Sequence, residues 1–142
     1  MAISFHLEGV RYQFTRKRAL KAWIKASAFH EMKVVGEINI ILCSDDRLLE
    51  MNNQFLEHDY FTDIITFNYN NKNTISGDLF ISIDRVKDNA IKNNVPTETE
   101  LQRVIIHGVM HLCGYNDKSK TEQSTMRNKE EEHLKKWLKF VK

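Results

Sequence analysis

The sequence predicts an α+β fold, a small mixed β-sheet flanked by helices in a single domain spanning residues 1–142. Some short runs alternate apolar and polar residues, as half-buried strands do. Longer runs repeat apolar residues every three to four positions, as amphipathic helices do. No repeat, low-complexity tract or linker separates them. Hydrophobic residues make up 42% and charged residues 28% of the chain, ordinary for a globular protein able to build a core.

Ile3, Phe5 and Leu7 alternate with polar positions and predict a first strand. A helix is expected from about Thr15 to Phe29, with Leu20, Trp23, Ile24 and Ala28 on one face. Arg16, Lys17, Arg18, Lys21 and Lys25 form its other face, either a solvated surface or a phosphate track for RNA. Glu37 to Cys43 reads as a second strand, and Asp46 to Phe55 as a helix whose Leu48, Leu49, Asn52 and Phe55 share a side. Asp63 to Tyr69 and Asp78 to Ile83 predict two strands, paired antiparallel through the turn-forming Asn70-Asn71-Lys72-Asn73. A short helix is expected from Asp84 to Asn93. Pro96 then precedes Thr97 and Glu100, a capping-box pattern opening the helix that carries His107 and His111 and stops at Gly114. Ser119 and Glu122 form a second capping box before a terminal helix with Met126, Leu134, Trp137, Leu138 and Val141 on its apolar side.

No apolar run approaches the ~20 residues that cross a bilayer, so no membrane partner is expected. The first residues lack a basic segment followed by an apolar one. Cys43 and Cys113 lie far apart, outside any CxxC pair, which fits a reducing cytoplasm. A net charge of +2 permits a nucleic-acid partner without demanding one.

The chemistry concentrates in His107-Gly108-Val109-Met110-His111-Leu112-Cys113-Gly114-Tyr115-Asn116-Asp117. Residues four apart on a helix share a face, which lets His107 and His111 meet one metal ion. Gly114 can reverse the chain with a positive φ, and Asp117 is the first good ligand after that turn. Three protein ligands leave a fourth tetrahedral position for water, the mark of a catalytic zinc site. The bland alternative is a pair of histidines placed by chance, but two unpartnered imidazoles in the apolar run from Val104 to Leu112 would be costly to bury. A zincin protease is disfavoured, because its HExxH motif places a glutamate base where this chain has Gly108. Gly108 instead suits close packing of the helix on a strand. Asp63, opening a strand near the site, could accept a hydrogen bond from a ligand imidazole.

The segment resembles the YbeY family of bacterial endoribonucleases, whose signature is HGxLHLxGYDH; Met110 replaces its leucine. Met51-Asn52-Asn53-Gln54-Phe55 and Thr62-Asp63-Ile64-Ile65-Thr66-Phe67 are similar to the family's LNxxYR and TDVLSF segments, and Gly77 to Ser82 to its GDIxIS strand. Met126 and Glu130 or Glu131 sit where the family has M…E. Two positions depart. The family's final Asp-His is Asn116-Asp117 here, and its arginine, thought to contact RNA phosphate, aligns with Leu56. His58 or a nearby lysine could substitute for it.

The resemblance implies a metal-dependent endoribonuclease acting on single-stranded RNA in ribosomal RNA maturation. Its expected cofactor is one divalent ion, zinc before manganese, and its expected partners are precursor ribosomal RNA and the small ribosomal subunit. No residue is assigned as general base. The alternatives are a metallohydrolase of peptides or small molecules, and a non-catalytic ribosome-associated factor with a structural metal.

Overall fold

Four strands and five helices follow one another in a computed structural model that describes residues 2–56 and 62–141. The order is β1 (Ala2–Leu7), α1 (Lys17–His30), β2 (Val34–Cys43), α2 (Asp45–Leu56), β3 (Ile64–Asn68), β4 (Thr74–Ser82), α3 (Ile83–Lys92), α4 (Thr97–Leu112) and α5 (Lys120–Lys136), with a short 3₁₀ turn at Trp137–Lys139. The sheet runs β1-β2-β4-β3. β1 and β4 flank β2 in parallel, and β3 closes the edge antiparallel to β4. The expected mixed sheet is therefore present, as is the hairpin through Asn70.

Side chains of adjacent strand residues point to opposite faces, and β3 uses both. Ile64 meets α4, whereas Ile65 joins Cys43, Leu48 and Met51 in a small cluster on the α2 side. The main core lies on the α4 side, where Trp23 and Ile24 of α1 pack with Ile38, Ile40, Leu79, Ile81, Ile105 and Ile106. Gly108 permits the close contact. A Cβ there would stand 2.7 Å from Ile64 Cδ1 and 3.1 Å from Leu79, inside normal contact distance. The helix bearing the histidines is thus seated directly on β3 and β4.

Three expectations are corrected. β4 begins at Thr74, four residues before Asp78, because its pairing with β2 extends back to Val34 opposite Thr74. The Thr97–Glu100 capping box does not form: Pro96 occupies the N-cap, so Thr97 is already helical, and no side chain caps the helix start among the described residues. Glu100 is buried instead, accepting from Asn93 Nδ2 at 3.5 Å. Leu138 is 74% exposed, because the 3₁₀ turn changes the angular step at the helix end while Trp137 stays buried. The Ser119–Glu122 box does form, with Ser119 Oγ accepting from Glu122 N at 3.1 Å and Glu122 Oε1 from Ser119 N at 3.0 Å.

Candidate metal centre

α4 is buried along most of its length, and its last two turns bring His107 and His111 to the same side. Their rings meet edge to face with centroids 4.7 Å apart, and their Nε2 atoms are 3.1 Å apart. Cys113 ends the helix, Gly114 takes φ +107°, and the chain doubles back. That reversal delivers Asp117 Oδ2 to 3.2 Å from His107 Nε2 and 3.3 Å from His111 Nε2. Asn116 instead hydrogen-bonds Glu122 in the first turn of α5. The turn thus sets Asp117, and not Asn116, beside the two histidines.

Both histidines are held from behind. His107 Nδ1 lies 2.6 Å from Glu130 Oε2, and Arg103 Nη1 donates to the other carboxylate oxygen at 3.3 Å. A hydrogen bond of this kind fixes the tautomer, leaving the Nε2 lone pair facing His111 and Asp117. The Tyr115 carbonyl accepts from His111. Tyr115 is anchored in turn, its hydroxyl donating to Glu31 at 2.7 Å, while Lys129 and the fully buried His133 donate to Glu31 at 3.2 and 2.8 Å. Asn70 Nδ2 donates at 2.7 Å to the Leu112 carbonyl, one of the free carbonyls at the end of α4, so the hairpin turn also braces the site.

Burial disfavours the charged form of His107, but the hydrogen bond and charge of Glu130, with Asp63 and Asp117 nearby, outweigh it and raise its pKa. Burial lowers that of His111, and the charge of His107 pushes the same way. Asp63 lies close enough to feel His107, and burial raises its carboxyl pKa. It nevertheless makes no hydrogen bond to either histidine among the described residues. The carboxylate that accepts from a ligand imidazole, the role expected of Asp63, is Glu130, which comes from α5 and is 8% exposed, whereas Glu131 is exposed. The signal for it was spacing: Met126 and Glu130, four apart, share the inward face of α5.

The basic face of α1 lies away from this centre at its amino end. Thr15 donates to Glu98 at 3.2 Å and Arg16 approaches it at 3.9 Å, beside the first turn of α4. Nine residues of helix, about 14 Å, separate Glu98 from His107. Lys17, Arg18 and Lys25 are exposed and Lys21 half-buried. His58 lies outside the described residues.

The donor set fits a divalent ion. Ligands of a tetrahedral zinc at 2.0–2.1 Å stand about 3.3 Å from one another. The three donors here are separated by 3.1, 3.2 and 3.3 Å.

The sequence profile described as endoribonuclease YbeY matches residues 4–138. This chain belongs to that family. Relatives named endoribonuclease YbeY include one from Bacteroides fragilis, 50% identical over 94% of this chain and 96% of its own length. Another, from Phocaeicola vulgatus, is 51% identical over 93% and 96%, and one from Flavobacterium psychrophilum 47% over 94% of both chains. The solution structure of TM1509 from Thermotoga maritima is similar with a TM-score of 0.69 and 28% identity, covering 96% of this chain and 89% of that one. The YbeY family therefore accounts for the fold and the order of its elements, and nearly the whole chain takes part in the match.

Proposed function

We propose that this chain is a metal-dependent endoribonuclease that cuts single-stranded RNA, works in ribosomal RNA maturation at the small ribosomal subunit, and acts in the cytoplasm. The observation that carries the metal centre is the near-equal separation of His107 Nε2, His111 Nε2 and Asp117 Oδ2. Membership of the endoribonuclease YbeY family carries the choice of RNA. Among the described residues no helix is long and apolar enough to cross a membrane.

His107, His111 and Asp117 would hold one divalent ion, with zinc the first choice for two imidazoles and a carboxylate. When bound, such an ion lowers the pKa of a water and offsets charge developing on a phosphoryl oxygen. The chain's own contribution is alignment. Glu130 keeps the proton of His107 on Nδ1, Tyr115 orients His111, and Gly114 sets the approach of Asp117. Gly108, pressed against Ile64 and Leu79, provides no carboxylate at the site and argues against a zincin-type peptidase.

The test is cleavage of a labelled single-stranded RNA by the purified full chain, with and without chelator and with zinc or manganese restored. Chelator-sensitive internal cuts are expected. A protein that leaves RNA intact with every divalent ion tried would overturn the nuclease assignment.

A further inference from the structure

Resting on the nuclease reading of the metal centre, we propose that Arg127 is the guanidinium that grips an RNA phosphate there, in place of the arginine that Leu56 does not supply. Arg127 lies on α5 three residues before Glu130, the residue that holds His107. Residues three apart on a helix are neighbours with Cβ atoms roughly 5–6 Å apart, so Arg127 projects beside the Glu130–His107 bond. A cavity of about 250 Å³ is lined by His107, Asp117, Gln123, Met126, Arg127 and Glu130. A second cavity of about 370 Å³ adjoins it through Arg127 and Glu130 and passes Arg103 and Thr99. Arg127 thus stands where the two meet, facing both the metal ligands and the groove that leads away from them.

Its charge is uncommitted. Arg127 is exposed and forms no ion pair among the described residues, whereas Arg103 on the opposite wall is tied to Glu130 at 3.3 Å and Glu100 at 4.0 Å. The first cavity otherwise presents the carboxylates of Asp117 and Glu130, and the second adds those of Glu100 and Glu131, all of which repel a phosphodiester. A single free guanidinium at the rim answers that repulsion, and its planar fork can hold two phosphate oxygens at once. Arg16 cannot serve from beside Glu98, at the far end of α4.

Two measurements on the metal-loaded full chain test the assignment: cleavage of single-stranded RNA, and anisotropy binding of a 2′-O-methyl oligonucleotide of the same sequence across a salt series. Arg127→Gln should weaken binding about tenfold, the size of one lost charge-assisted contact. It should also flatten the slope of log affinity against log salt by about 0.7, one phosphate's share for a single strand. Metal content and melting temperature should stay at wild-type values, and Arg127→Lys should recover part of the binding. Wild-type binding by Arg127→Gln overturns the role of Arg127 while leaving the nuclease reading intact, and loss of metal in that variant overturns it too by marking Arg127 as structural. A wild type that binds the oligonucleotide through Arg127 but cuts no RNA sinks the nuclease reading and keeps the phosphate contact. A wild type that neither binds nor cuts sinks both.

Discussion

Asp117 approaches both histidines to within 3.3 Å through one oxygen, Oδ2, while the neighbouring Asn116 is engaged by Glu122. Asp117→Ala should therefore cost at least tenfold in metal affinity, and Asn116→Ala should leave it within about twofold, since a lost ligand matters far more than a lost surface bond. Competition titration against a chromophoric chelator reads both; equal losses would mean that the turn adopts another register when metal binds. Asp117→His should keep or tighten zinc binding, because imidazole is the softer donor. Glu130 acts one bond further out. Glu130→Gln keeps the size but removes the anionic acceptor from His107 Nδ1, and the expected loss is about 10–100-fold in metal affinity. Affinity unchanged in that variant would reduce Glu130 to a packing residue.

The precision of the site belongs to the elements that carry these side chains. α4 can approach the sheet only because position 108 has no side chain, and Gly108→Ala would push a methyl into Ile64 and Leu79. A cost of about 1–3 kcal/mol is expected from such overpacking, read as a lower midpoint in urea. Stability unchanged by that substitution would mean that α4 moves freely on β3. For α1, reversing Lys17, Arg18 and Lys21 should flatten the salt dependence of RNA affinity if the helix attracts the strand at a distance, with metal content untouched. An unchanged slope would leave α1 a solvated face. Elements whose signal is local were legible in the sequence: the strand alternation of β1 and β2, the Ser119 box, and the His107–His111 face with its glycine stop. One miss was local: Pro96, beside Thr97, takes the cap. The others depend on contacts distant in the chain. Glu130 shows its role only once α5 folds back on α4, and Asn70, read as a turn residue, bonds Leu112 across 42 positions.

On the scale of the whole molecule, histidine protonation and metal binding compete, and the competition has a defined direction. A metal takes the Nε2 lone pair that a proton would otherwise fill, so binding must displace that proton wherever the metal-free histidine is charged. Glu130, Asp63 and Asp117 raise the pKa of His107 above the ordinary histidine value of about 6.5 despite its burial. Its proton thus begins to compete at a higher pH than a free histidine's would. In the metal-free chain the same shift stabilises the fold at low pH, because the native state holds that proton more tightly than the unfolded state, and the benefit fades as pH rises through the raised value. His111 and the buried His133 have lowered pKa values through burial, so their contribution runs the other way and is lost as pH falls below about 6.5. The difference in melting temperature between zinc-loaded and stripped protein isolates the metal's contribution from these opposing terms. That difference should be largest near pH 8 and shrink on acidification, with the decline already under way above pH 6.5. In Glu130→Gln, where the main group raising His107 is gone, the decline should begin at lower pH even though the metal binds more weakly throughout. Differential scanning fluorimetry from pH 8 to pH 5.5 at fixed total zinc measures both curves. A zinc-induced stabilisation that stays flat down to pH 6, or curves of the same midpoint for the two proteins, would show that His107 does not exchange a proton for the metal.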